Sequence, residues 1–466
     1  MKLLNREPVF RMRPYPAEPE EFRFSVKGEH FVLDKNSLAL WQLDSPDEKV
    51  PLCDKKPQFP HPPIATSFGM LVLENTQACP LACKYCFAQL YEDTKSHMSF
   101  ETAKKAITMY GGPRDRRSPA RIGFFGGEPL VNWQLIRDVV MFSEGYFVQQ
   151  PRFSVTTNAV LMTSEKARFL KEHGFSIIVS IDGPQELHDE YRIYPNGKGS
   201  FEETLRGLKF LAEAGVKSIT LRATYTPHHP AVYDRVVYLN ELCDQGLARW
   251  VSVEPVCLTE SHCIREMRGF TEEEVQRLEP EYIKISEWAV KRYKDDKPFR
   301  FHNIVKMMER LLYCAHSPSE CGAGNGYMSV SYDGGIWSCH RMNWGRIGDL
   351  EHGIDEQLRA PWLDNRSYNR EGCNECPIQW VCGGGCREAS IGANRDIRKP
   401  YRVGCEFMKM FVRCAAWIIS QAPKETLEKF IPDPRANRVP RCSRCGKPKL
   451  IFGDELAQEN QRLAQR

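Results

Sequence analysis

The chain lacks any uninterrupted apolar run long enough to span a bilayer, and its first residues, 1–14, have no apolar core of the kind a secretory signal carries. It also lacks an excess of either charge: 64 Lys and Arg stand against 60 Asp and Glu, a balance that argues against a dedicated nucleic-acid surface. No motif recurs at a fixed period, so nothing points to a solenoid or propeller. These absences predict a soluble, cytoplasmic protein with no membrane contact. What is abundant is cysteine, 18 in all. Without an export signal, these are expected to remain thiols and bind metal rather than pair as disulfides. With 466 residues, 42% of them hydrophobic, two or three compact units with real cores are expected.

Cys79, Cys83 and Cys86 form C-P-L-A-C-K-Y-C, directly after the apolar run 70–73. Thiolate is the usual protein ligand of iron-sulfur clusters, and so short a loop lets three sulfurs converge on one cubane. The fourth iron would then stay open to a small molecule. A zinc knuckle is the competing reading, although structural zinc takes four protein ligands and commonly pairs C-x-x-C units.

Candidate strands at 70–74, 121–125, 153–157, 177–181, 219–224 and 250–253 alternate with candidate helices at 100–110, 133–147, 164–173, 201–214 and 231–245. Parallel neighbours require crossover connections, so the alternation predicts an α/β fold, a partial (β/α)6 TIM-like barrel over 67–255, with reactive groups at the carboxyl ends of its strands. Before it, 1–66 reads as a hairpin (22–26 and 29–33), a further strand-like run and a proline-rich linker at 51–63. After it come a charged helical bridge at 256–313, a glycine-rich region at 314–422 and a polar tail at 423–466. Nine of the eighteen cysteines fall between 314 and 414, so that region is expected to rely on metal for its fold.

Strand ends carry further motifs: G-F-F-G-G-E-P at 123–129, T-T-N-A at 156–159 and S-I-D-G at 180–183. Gly126 and Gly127 would let a ligand approach the backbone, and Glu128 offers a carboxylate for an ammonium group. Together with the cysteine loop, these elements resemble the radical S-adenosylmethionine (SAM) superfamily. The resemblance implies that Cys79, Cys83 and Cys86 hold a [4Fe-4S] cluster and that the G-G-E-P strand, with Glu128, binds the methionine amine. It also implies that Tyr85 lies along the adenine, that Asn158 and Ser180 lie near the ribose, and that either Arg192 or Arg222 pairs with the methionine carboxylate. The plain alternatives are helix caps for Asn158 and Ser180 and a solvated loop charge for Arg192.

Downstream, C-G-A-G-N-G-Y-M at 321–328, a cysteine at 339 within D-G-G-I-W-S-C-H-R, and C-N-E-C-P-I-Q-W-V-C-G-G-G-C at 373–386 are followed by Cys405. This spacing resembles the SPASM extension of peptide-modifying radical enzymes, a small cysteine-rich domain with two auxiliary [4Fe-4S] clusters, giving three clusters in all. By that pattern Cys373, Cys376, Cys382 and Cys405 hold the outer cluster, while Cys321, Cys339 and Cys386 give three ligands to the inner one. Its fourth ligand is either Cys314 or a substrate thiolate; two zinc ribbons are the alternative.

Within the group, 31–37, 124–133, 196–201, 253–256 and 382–386 are similar to thioether-forming peptide maturases, those of six-cysteine peptides and of quinohemoprotein amine dehydrogenase. In one departure, the helices that usually follow the amino-terminal hairpin are replaced by the proline-rich linker. The resemblance implies reductive cleavage of SAM to a deoxyadenosyl radical, an electron donor such as flavodoxin or ferredoxin, and a cysteine-containing peptide or small protein as substrate. Asp182 and Glu254 are the candidate proton acceptors, or else structural. Formylglycine formation, carbon-carbon crosslinking and a non-catalytic cluster-bearing or zinc-bearing binder are the rivals. Cys53, Cys243, Cys257, Cys263 and Cys414 read as small apolar packing residues. Cys442 and Cys445 read as half a zinc site, a redox dithiol, a docking hook or plain tail.

Overall fold

The computed structural model describes residues 2–3, 21–50, 52–53, 57, 68–87, 95–111, 119–258, 267–341 and 345–433. Most of the proline-rich linker, Cys263, and the tail segment holding Cys442 and Cys445 lie outside the described residues. Strands β1 (Lys2–Leu3), β2 (Glu21–Val26), β3 (Glu29–Asp34) and β4 (Leu40–Leu43) form an antiparallel sheet in the order β1-β4-β3-β2. Lys27 and Gly28, both at positive φ, make the tight turn between β2 and β3, matching the twist of a two-residue hairpin loop.

The central sheet holds β5 (Met70–Thr76), β6 (Arg121–Gly126), β7 (Arg152–Thr157), β8 (Ser176–Ser180), β9 (Ile219–Tyr225) and β10 (Trp250–Pro255), all parallel and in sequence order. Between them run α1 (Phe100–Gly111), α2 (Trp133–Tyr146), α3 (Ser164–Glu172), α4 (Gln185–Asp189), α5 (Phe201–Glu213) and α6 (Val232–Asp244). This is the partial α/β barrel that the alternation predicts; the short α4 was not foreseen.

Period-two burial decides which residues meet the site. In β9, Ile219, Leu221, Ala223 and Tyr225 are buried among the helices, while Thr220, Arg222 and Thr224 take the other face. Register places Arg222 beside Ser180 of β8 and Ser252 of β10, so these line the barrel interior together, with Glu254 two residues beyond.

The bridge consists of α7 (Glu272–Arg277), α8 (Glu279–Lys294) and α9 (His302–Leu312). A capping box starts α7: Glu274 N–H donates to Thr271 Oγ1 and Thr271 N–H to the Glu274 carboxylate.

The cysteine-rich region continues the barrel sheet. Its first strand, β11 (Tyr327–Val330), pairs parallel with β5, and β12 (Gly335–Trp337), β13 (Arg346–Asp349) and β14 (Gly353–Ile354) carry the barrel sheet on to ten strands. Beyond them come α10 (Glu356–Leu363), α11 (Gln379–Cys382), α12 (Arg387–Asn394), α13 (Arg402–Gln421) and α14 (Lys424–Phe430). α13 packs aromatic residues onto the bridge, with Phe411 against Tyr282 of α8 and Phe301 at the start of α9. No helix among the described residues is long and apolar enough to cross a membrane.

Candidate functional site

The cysteine loop leaves β5 at the carboxyl end of the sheet and is tied down on two sides. Gly127 and Glu128 donate their N–H groups to the carbonyls of Thr76 (2.8 Å) and Ala78 (2.9 Å), and Ala82 and Lys84 donate to Ile193 (2.7 Å) and Tyr191 (2.9 Å). The glycine pair is required by this contact: at Gly126, with φ +133°, a Cβ would stand 2.0 Å from the Thr76 carbonyl oxygen, and at Gly127 2.4 Å from that of Gln77. The glycines thus allow a close approach of the protein's own loop.

Cys79 feels Cys83 and Cys86 electrostatically, so the three thiols share one neighbourhood, and burial pushes Cys83 up to about 12. Thiols this hard to ionise unaided suit a metal that deprotonates them on binding. All fifteen described cysteines are free. The donor set fits an iron-sulfur cluster.

Glu128 is buried beside this loop, its carboxylate accepting from Thr157 Oγ1 (2.7 Å) and from the N–H groups of Asn158 (2.7 Å) and Leu130 (3.0 Å). Burial raises its pKa against those hydrogen bonds. Asn158 reaches the Cys79 sulfur at 3.6 Å through Nδ2, and its Oδ1 accepts from Val160 N–H. Glu128, Asn158 and Cys79 are therefore brought together.

A second group joins residues that the sequence treats separately. The Tyr85 hydroxyl donates to Asp182 Oδ2, the Arg192 guanidinium lies 5.5 Å from the Tyr85 ring centre, and Arg192 Nε stands 3.0 Å from Asp182 Oδ1. The Arg192 contact is an ion pair without good hydrogen-bond direction. Asp182 Oδ1 also accepts from Thr224 N–H at 2.9 Å. Asp182 is fully buried with both oxygens engaged, so the structure makes it a tie between the cysteine loop and the ends of β8 and β9 rather than a free proton acceptor. Arg222, by contrast, has a buried Nε with no partner among the described residues, and faces the barrel interior beside Ser180. Glu254 lies on the same inner face and accepts from Ser252 Oγ at 2.6 Å.

The later cysteines fall into two neighbourhoods. Cys382 feels Cys405, Cys376 and Cys373, and Cys339 feels Cys386 and Cys321, so the two sets that the resemblance implies gather as two groups. As they stand, no three His, Cys, Asp or Glu side chains among the described residues lie close enough for a single metal ion. The Cys314 sulfur lies 3.9 Å from the carbonyl of Leu38, between β3 and β4 of the amino-terminal sheet. That sheet also supports the outer group, since Lys35 donates to the Asn374 carbonyl at 2.7 Å.

Three further residues were missed from sequence. Cys257, expected to pack as an apolar residue, instead neighbours Arg341, Glu388 and Cys386. His340 lies edge-on to Phe125 with ring centres 4.2 Å apart; its Nδ1 is buried without a partner among the described residues, and burial, then Arg341 and Arg222, push its pKa down to about 3. Glu74 of β5 accepts from Ser329 of β11 at 2.8 Å, and burial pushes it up to about 7. Only the adjacency of His340 to Cys339 hinted at any of this.

Residues 73–231 match the radical SAM superfamily. The chain is 26% identical to the serine-type anaerobic sulfatase-maturating enzyme of Klebsiella aerogenes, over 73% of this chain and 83% of that protein. It is 28% identical to an uncharacterised protein of Archaeoglobus fulgidus, over 77% and 83%. Among solved structures, anSMEcpe with bound AdoMet and Cp18Cys peptide superposes with a TM-score of 0.61 at 17% identity, over 76% of this chain and 98% of that one. Streptococcus suis SuiB bound to its precursor peptide SuiA gives 0.53 at 16%, over 73% and 76%. With a parallel partial barrel whose first strand delivers three thiols to the carboxyl end, and with that match over most of the barrel, residues 73–231 of this chain are a radical SAM domain.

Proposed function

We propose that this radical SAM enzyme is a maturase that links a cysteine sulfur to a carbon of another residue within a peptide or small protein. The observation that supports the thioether assignment is the inner group of three thiols, Cys321, Cys339 and Cys386. An auxiliary cluster held there would keep one iron for a substrate thiolate, and metal binding deprotonates a thiol readily. SAM bound at the Cys79, Cys83 and Cys86 cluster supplies, on reduction, the radical that removes hydrogen from an unactivated carbon.

The remaining roles belong to the chain. Glu128 and Arg222 suit the amine and carboxylate of SAM, since Arg192 is already committed to Asp182 and Arg222 keeps a free donor. The inner strand faces hold the substrate carbon in place and exclude water. Each C-S bond replaces one C-H and one S-H bond, with one hydrogen passing to the radical, one proton to a base and one electron to the auxiliary clusters. The outer group holds the third cluster, and a flavodoxin-like or ferredoxin-like donor in the cytoplasm supplies the first electron.

Reduced enzyme incubated with SAM and a cysteine-containing substrate should give a product lighter by two hydrogens per link, with the linked thiols lost to alkylation. A modified product that keeps its free thiols refutes the assignment and points to a carbon-carbon link. Formylglycine formation is the second reading, favoured by the names of relatives such as the serine-type and cysteine-type anaerobic sulfatase-maturating enzymes of Klebsiella aerogenes and Clostridium novyi. An aldehyde captured by a hydrazide reagent identifies it.

A further inference from the structure

Arg370 and Arg387 are 1% and 2% exposed, and neither forms an ion pair with a carboxylate among the described residues. Each uses one nitrogen to hold loop oxygens. Arg370 Nη2 donates to Ser390 Oγ (2.6 Å) and the Lys399 carbonyl (3.2 Å), and Arg387 Nη2 donates to Ser319 Oγ (3.0 Å) and the Asn365 carbonyl. The Nε and Nη1 atoms of both are buried without a hydrogen-bond partner. Burying a guanidinium is costly unless it is paired and its donors are met, so two such cations with four idle nitrogens call for anions beside them.

Among the described residues, the candidates are the cysteine groups. Arg370 acts electrostatically on Cys373 and Cys405, and Arg387 feels Cys321 and Cys386; the two arginines also feel each other. Arg387 further lines a cavity of about 170 Å³ together with Cys321. Arg387 also acts on Cys373, less than Arg370 does, so the pair lies between the two thiol groups, Arg370 toward the outer and Arg387 toward the inner.

We propose that Arg370 and Arg387 are the buried counter-charges of the two carboxyl-terminal clusters, each aiming its idle N–H donors at cluster sulfurs and raising that cluster's reduction potential, Arg370 at the outer cluster and Arg387 at the inner. The inference rests on the reading of these two groups as iron-sulfur sites. Reduction adds one electron and no proton to a cluster, so its negative charge grows by one. A neighbouring cation and N–H donors to sulfur favour the reduced form, and their removal lowers the potential. The function served is to keep the clusters able to accept the electron released when the new bond closes.

The test is an anaerobic redox titration of the reconstituted full-length protein, followed by electron paramagnetic resonance, in the parent, Arg387→Gln and Arg370→Gln. Each variant should lower the potential of its own cluster by roughly tenfold in the reduction equilibrium, about 59 mV for a one-electron couple, and move the other cluster less. Unchanged potentials with the parent's iron retained overturn the proposal alone, since arginines that merely brace loops would leave potentials in place. A parent that holds the iron of a single cluster overturns both the proposal and the reading beneath it. If the Gln variants do not fold, the parent grown on guanidino-15N arginine decides. Hyperfine coupling from arginine nitrogen to the reduced auxiliary clusters supports the proposal, and its absence overturns it.

Discussion

Replacing Asp182 by Asn keeps the shape of the side chain and removes its charge, leaving Arg192 buried and unpaired. At an effective dielectric constant of about 20, unit charges 3.0 Å apart attract by roughly 5 kcal/mol. Loss of one partner of a buried pair typically costs about 3–5 kcal/mol. Asp182→Asn is therefore expected to destabilise the protein by about 3–5 kcal/mol. Because the same carboxylate accepts from Tyr85, which lies between Cys83 and Cys86, iron should leave the amino-terminal cluster before the others. Anaerobic calorimetry on the parent, Asp182→Asn, Arg192→Met and the double variant measures the coupling directly. The double variant should lose less stability than the two single losses together, since the second change removes the stranded charge. An Asp182→Asn protein with parent stability and full iron, but no peptide product, would refute the tie and return Asp182 to the role of proton acceptor.

Gly126→Ala drives a Cβ to 2.0 Å from the Thr76 carbonyl oxygen at a φ that side chains avoid; iron analysis should show the amino-terminal cluster lost and the auxiliary clusters retained. Burial lifts Glu74 from 4.5 to about 7, so the folded state binds the extra proton between those values and stability falls as pH rises through that window, by roughly 3 kcal/mol in all. Glu74→Gln should remove that slope in calorimetric scans from pH 5 to 8, and a variant that tracks the parent refutes the assignment. Cys314→Ala and Cys257→Ala are both expected to keep the parent's iron and sulfide; a loss with either identifies that thiol as a fourth ligand and closes the position proposed for substrate.

The barrel was legible because its signals are local. Apolar runs of strand length alternate with helical stretches, and each observed strand begins and ends within two residues of its expected bounds. The continuation of the sheet into β11 was not legible, since it depends on a parallel pairing of Met70 with Tyr327, far apart in sequence, and on four residues of ordinary strand character. Gly126 and Gly127 were recognisable as special: a glycine motif shows that something comes close, and the packing of 76–78 shows that the cysteine loop is part of it.

The same division separates what was found at the site from what was missed. Ligand cysteines announce themselves because a cluster constrains their spacing along a short loop, which is why the group at 79–86 stood out from spacing, while the later cysteines were sorted by the resemblance that their spacing carries. Second partners carry no such mark. Asp182, Tyr85 and Arg192 were each proposed for separate tasks, yet the fold spends them largely on one another, because the distance that matters between residues 85 and 182 is spatial. Arg370 and Arg387 sit among many surface arginines of the same composition and differ only in being buried. Cys257, on an ordinary strand exit, reads as packing until the fold sets it beside Cys386. A sequence can thus disclose where a cluster is anchored, whereas the charges that decide how readily that cluster takes an electron are fixed only when distant segments are folded around it.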